Sequence, residues 1–242
     1  MQTLITMVDA TLEIEKLRLA AQRRKGHLEE QDKEDPDTTE LYRRLKDLED
    51  FVDGRIAILL KAHPAYDWFS RVKGIGPENI AKVIGLIDIT RCDTPSALWK
   101  FCGYSVENGV APRRTRGKKL SYNSQLRSLC WRTGSSLIRA KGKFYDYYLK
   151  EKDKYYQVYT GRGMQIVPAT SLPKEKGKRY EPENMISEGH LHNQALRKMI
   201  KLFLCLLWVV WREEQGLPVT KPYVIEKLGH HALIDPWDMV DR

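Results

Sequence analysis

The sequence holds little that would send it to a membrane, a disulfide scaffold or a metal centre. Its most apolar run, Met199 to Trp211, is interrupted by Lys201 and falls short of the ~20 residues needed to cross a bilayer. It predicts a buried helix. No signal peptide is evident at the N-terminus, and no membrane association is expected. The four cysteines, Cys92, Cys102, Cys130 and Cys205, form no CxxC pair, which predicts reduced thiols in a cytoplasmic protein. His190, His192, His230 and His231 have no matching cysteine or acid cluster, so no metal site is expected. Internal repeats are absent. Residues 1–62 show no alternating strand pattern.

Positive charge is present, and it is concentrated. Residues 111–154 contain 13 Lys or Arg against 3 Asp or Glu, a net of +10 in a chain whose total is +9. The remainder therefore sums to −1, so the excess belongs to one segment, which points to a polyanionic partner. At its start lies the run Arg113-Arg114-Thr115-Arg116-Gly117-Lys118-Lys119, between two apolar helical segments. Arg127 follows on the next helix.

A second anion-directed feature is Lys73-Gly74-Ile75-Gly76-Pro77-Glu78, followed by Ile80, Val83, Ile84 and Ile87 at helical spacing. The glycines permit positive φ and close approach. Pro77 suits the first helical position and Glu78 the positive helix end. The turn predicts backbone N–H groups at a helix N-terminus, a site for phosphate, with Lys73 and Lys82 beside it. It resembles the helix-hairpin-helix motif, whose Gly-hydrophobe-Gly turn holds DNA phosphates without reading bases.

The periodicity predicts a mostly α fold. Residues 3–30 and 39–62 read as two helices joined by a turn around Asp32 to Thr39. Leu41, Leu45, Leu48, Val52, Ile56 and Leu59 form a coiled-coil seam. Either the two helices pair as an antiparallel hairpin or the second pairs with another chain. So short a seam would be marginal alone, which favours a homodimer or higher oligomer through residues 39–62. The expected organisation is coiled-coil helices over 1–62, a helical DNA-binding domain over 63–220 with a loop insertion at 160–189, and a tail over 221–242. Within that domain a short helix closes at Gly103, and another runs from about Ser121 or Asn123 to Ala140. A further apolar helix spans 190–215. Tyr145, Tyr147, Tyr148, Tyr155, Tyr156 and Tyr159 alternate with lysines. Such aromatics can stack on bases, but packing is the expected role of most of them.

The order of the pieces carries a resemblance. A coiled-coil helix is followed by His63-Pro64, the Gly-Ile-Gly-Pro hairpin and Leu98-Trp99-Lys100-Phe101-Cys102-Gly103-Tyr104. Ala111-Pro112-Arg113, the basic loop, Asn123-Ser124-Gln125-Leu126-Arg127 and His192-Asn193-Gln194-Ala195-Leu196-Arg197-Lys198-Met199 complete it. Over roughly residues 45–215 this is similar to the C-terminal half of the Piv-invertase-like insertion-sequence transposases, the bridge-RNA-guided recombinases. The resemblance implies double-stranded DNA as partner, a guide RNA as a further one, and a nucleophilic serine. Ser121 best matches that serine. Lys118-Lys119-Leu120 stands where the family has small residues, which keeps Ser124 as the alternative. Family members carry an N-terminal RuvC-like domain with four metal-binding acids, which residues 1–62 do not resemble. No cofactor is therefore expected in this chain, and Mg2+ is expected only with a RuvC-like nuclease partner. The chain reads as a transposase or recombinase module, inactive alone; the other reading is a domesticated, non-catalytic structural DNA-binding protein.

Overall fold

A computed structural model describes residues 2–106, 110–117, 119–219 and 234–241. It is mostly helical, with α1 Gln2–Glu29, α2 Pro36–Leu60, α3 Tyr66–Ser70, α4 Pro77–Gly85, α5 Pro95–Phe101, α6 Ser124–Ala140, α7 Lys143–Gly161 and α8 Glu188–Glu214. The chain divides into two units. One comprises Met1–Asp67 and Gly76–Asp88, the other Trp68–Ile75 and Ile89–Arg242. The sequence groups α4 with the domain beginning at residue 63, whereas contacts place it with the N-terminal helices.

In the first unit α1 and α2 form an antiparallel hairpin. Thr11 Oγ1 donates to Asp53 Oδ1 at 3.1 Å, the Arg18 guanidinium pairs with Glu49, and Lys25 lies over the Tyr42 ring. Asp35 caps α2 through the Thr38 N–H, with Pro36 at its first position. The seam is therefore divided. Val52 and Ile56 are buried, Leu45 and Leu59 half-buried, and Leu41 and Leu48 exposed. The reason is geometric: α2 already has α1 and α4 as neighbours on its inner face. Leu41, Leu48, Phe51 and Ile58 instead face solvent, seven, three and seven residues apart.

Two buried polar groups tie this unit together. Lys82 Nζ lies 2.9 Å from Glu15 Oε2, joining α4 to α1. His63 accepts from the Ala65 N–H at 3.1 Å, and burial pushes its pKa down to about 4. Its ring is thus neutral at pH 7, where burial of a neutral imidazole costs least.

The second unit is built around α8, whose residues from Met199 to Arg212 are largely buried. This is the core helix that the apolar run predicts. Trp68 stacks on Phe203 at 5.7 Å, and Phe144 meets the same ring edge-on. Trp208 Nε1 donates to the Cys92 carbonyl at 2.6 Å, and the buried Arg212 donates to the carbonyls of Ile89 and Cys92. All four cysteines are buried free thiols. The insertion at 160–189 contains two small strand pairs: β1 Gln165–Val167 runs parallel to β4 Met185–Ser187, and β2 Lys174–Glu175 antiparallel to β3 Lys178–Arg179. Of the tail, only 234–241 is described; there Pro236 accepts from Trp68 Nε1 at 2.7 Å. No described helix is long and apolar enough to cross a membrane.

Candidate nucleic-acid interface

The two hairpin glycines have different surroundings. Gly74 has φ +95°, and a Cβ there would lie 2.7 Å from Ala140 Cβ and 2.9 Å from the Ser136 carbonyl oxygen. Its own carbonyl accepts from Ser136 Oγ at 2.8 Å. Gly74 is thus pressed on the C-terminal half of α6, within the second unit. Gly76, in the first unit, is the N-cap of α4 with φ −92° and ψ 149°, and no side chain caps that end. A Cβ on Gly76 would meet open space. Ile75 is half-buried between them.

Lys73 has an exposed side chain. Its N–H donates to Asp241 Oδ2 at 2.8 Å, while the Lys143 N–H at the start of α7 donates to Asp241 Oδ1 at 2.9 Å. The chain's own carboxylate thus occupies an anion position there. Lys82 does not join the surface expected of it. It is 4% exposed and paired with Glu15, because the apolar face of α4 carries it into the hairpin packing.

The basic loop is fastened at both ends. The Tyr104 N–H donates to the Trp99 carbonyl at 2.7 Å and the Asn123 N–H to the Phe101 carbonyl at 2.9 Å. Arg127 Nη1 donates to the Pro112 carbonyl at 2.9 Å, holding the loop's first arm on α6. Between these points Arg113, Arg114, Arg116 and Lys119 are exposed. None of the four has an ion-pair partner among the described residues. Arg114, Arg116 and Lys119 line one shallow depression with Thr115 and Gly117. Lys118 lies outside the described residues.

Under the loop is a cluster that the sequence reading missed. Gly103 has φ +74°, and a Cβ there would meet the Tyr122 ring at 2.7 Å, so only glycine lets Tyr122 and Arg127 settle on it. The Arg127 guanidinium lies 5.0 Å from the Tyr122 ring centre. Tyr104, buried, donates its hydroxyl to the Arg127 carbonyl at 3.1 Å. Arg197 lies 5.7 Å from the Tyr104 ring, and Lys201 lies 4.0 Å from the Trp99 ring. Burial, then Arg127, lowers the Arg197 pKa; burial, then Lys198 and Arg197, lowers that of Lys201. Arg127, Arg197 and Lys201 have no carboxylate partner among the described residues. Arg197 and Lys201 stand four residues apart on α8, a signal present in the sequence but masked by the apolar run around it.

The serines sit at the loop's exit. Asn123, and not Ser121, caps α6, accepting from the Leu126 N–H at 3.0 Å. Ser121 is exposed in the bend before the helix, and Ser124 is exposed as its first residue. Among the tyrosines, Tyr148 is buried with its hydroxyl 2.8 Å from His192 Nδ1, whereas Tyr156 is exposed. Burial raises the phenol pKa of Tyr147 and of Tyr155. His190 Nδ1 lies 2.5 Å from Glu181 Oε2. His230 and His231 lie outside the described residues.

The stretch that carries the loop, its fastenings and the start of α7 is similar to a transposase domain. The matching family model, described as Transposase IS116/IS110/IS902 family, covers residues 66–149. No curated protein and no solved structure matches the chain. The match covers about a third of the chain, and the likeness it supports is to an insertion-sequence transposase.

Proposed function

We propose that this chain is the DNA-binding module of an insertion-sequence transposase or recombinase, holding duplex DNA by its phosphate backbone. One observation carries the reading: a loop of exposed arginines without carboxylate partners among the described residues, fastened at both ends, inside the segment similar to transposases. Lys73, Gly74, Ile75 and Gly76 support it with a turn leading into the uncapped N-terminus of α4. Arg113, Arg114, Arg116, Lys118, Lys119 and Arg127 supply the cations. Backbone contacts of this kind position a protein without reading sequence.

The test is the affinity of the purified chain for a duplex of arbitrary sequence over a range of salt. A slope of about −0.9 in log K against log salt is expected for each phosphate met. Affinity independent of salt would end the proposal. A guide RNA as second ligand is tested by competition in the same assay; RNA that fails to displace the duplex at any concentration excludes it.

Ser121, with Ser124 as alternative, is the nucleophile in this reading. A serine hydroxyl needs activation and stabilisation of the phosphoryl oxygens. The loop supplies the charge, and activation is assigned to a RuvC-like partner carrying Mg2+. Without that partner no adduct with a labelled duplex is expected; an adduct that survives Ser121→Ala removes Ser121 from the role. The second reading is a non-catalytic structural DNA-binding protein, in which both exposed serines are solvated surface residues. A covalent adduct in any arm would exclude it.

The outward stripe Leu41, Leu48, Phe51 and Ile58 has the spacing of a helical seam and supports a homodimer through α2. Leu48→Asp with Phe51→Asp should then give monomers. A parent chain that sediments as a monomer at micromolar concentration would exclude the dimer.

A further inference from the structure

We propose that Arg127, Arg197 and Lys201 form a second DNA phosphate site, beneath the basic loop and joined to it. The inference rests on the DNA-binding reading above and extends it to α8. Three observations converge. First, these cations are half-buried, yet no carboxylate pairs with them among the described residues. A half-buried cation without a counter-ion is unfavourable in the free protein. Like-charged neighbours increase that cost, and here Arg127 weakens the hold of Arg197 on its proton, as Lys198 and Arg197 do for Lys201. An anion that enters relieves both.

Second, each cation is held in place by an aromatic ring: Arg127 by Tyr122, Arg197 by Tyr104 and Lys201 by Trp99. Trp99 is fixed in turn, because its Nε1 donates to the Lys201 carbonyl at 2.9 Å. Such a site is organised before its ligand arrives, which lowers the ordering cost of binding. Third, Arg127 donates to Pro112 at the root of the loop that presents Arg113, Arg114 and Arg116. The cluster and the loop are thus joined at Pro112.

The same geometry specifies the ligand. Each ring already has a cation beside it, which leaves the cations themselves as the groups that meet the ligand. The recognised group is a phosphodiester of duplex DNA, and the base sequence should not matter. Exposed Lys198, one position from Arg197, adds charge at the edge.

The experiment uses the full chain and arbitrary-sequence DNA duplexes. Arg197→Met and Lys201→Met keep an unbranched stem and remove the charge; Arg197→Lys restores it. In each methionine variant the salt slope should lose about 0.9 of its magnitude, with affinity at about 50 mM salt falling roughly tenfold. The melting temperature should hold or rise, because the uncompensated charge has gone. Arg197→Lys should recover the parent slope, and scrambled duplexes should bind alike. Slopes that stay at the parent value overturn the site while leaving the DNA-binding reading intact. An Arg197→Lys variant that behaves like Arg197→Met overturns it as well, since the charge would not then be what matters. An effect of Arg197→Met seen with an RNA duplex but not with DNA overturns the assignment to DNA. A parent chain with no salt-dependent binding overturns both the site and the reading beneath it.

Discussion

Replacing Gly74 with valine is expected to destabilise the second unit by roughly 3 kcal/mol or more, from a left-handed backbone and an overfilled helix contact together. The backbone at Gly74 has φ +95°, and the new Cβ would be driven to 2.7 Å from Ala140 Cβ and 2.9 Å from the main-chain oxygen of Ser136. Neither neighbour is the free end of a flexible side chain, so α6 itself would have to move. Gly76→Val is the contrasting variant. There φ is −92° and ψ 149°, an extended conformation that any residue adopts, and no heavy atom lies within 4 Å of the added Cβ. It should melt within a few degrees of the parent. It should also bind duplex DNA more weakly, because the added side chain stands before the N-terminus of α4. The comparison separates packing, expected of Gly74, from access, expected of Gly76. Thermal melts and duplex binding on the same preparations check it. A Gly74→Val variant as stable as the parent would contradict the packing, and a stable Gly76→Val variant with parental affinity would contradict the phosphate site.

Neutralising the loop should have the largest effect on binding. Arg113→Gln, Arg114→Gln and Arg116→Gln together alter three exposed side chains without ion-pair partners among the described residues, so the fold loses nothing. If each arginine meets one phosphate, the slope of log K against log salt should lose about 0.9 for each. Affinity at about 50 mM salt should then fall on the order of a thousandfold. The melting temperature should be unchanged, as is usual for exposed positions. Retention of parental affinity by the triple variant would remove the loop from the interface. A fall in melting temperature would show that the guanidiniums brace the unit instead.

How far the sequence could be read depended on whether a feature was local. The helices were legible because their signals lie within a few residues: Thr94 before Pro95 for α5, the glycine after its end, and the apolar stripe of α4. Pro36 read as part of a turn, yet it is the first residue of α2 behind the Asp35 cap. Ser121 competed with Asn123 for the cap of α6, and the choice depends on φ and ψ rather than on residue type. Features made by distant segments could not be read. The pressure of α6 on Gly74 joins positions 62 residues apart, as the Ser136 bond to its carbonyl shows. The partner that Lys82 finds on burial is Glu15, 67 positions away. Lys201 looked like a polar interruption of a core helix and Arg197 lay just before the apolar run, whereas the aromatic rings that hold them come from α5 and the residues just after it.

The way the first unit is assembled along the chain has a consequence in time. Its helical hairpin joins residues that are close in sequence, and the Thr11–Asp53 bond spans 42 positions. The third helix, α4, reaches α1 through Lys82 and Glu15 across 67 positions, and the intervening Trp68–Ile75 belongs to the other unit. Closing that longer loop costs more entropy and comes later. On a ribosome the hairpin can form as soon as its own residues have emerged. The seat for α4 on α1 then waits, with the carboxylate of Glu15 still in water, until the chain has laid down a piece of its neighbour. The first unit is thus begun first and cannot be finished until the second has been started.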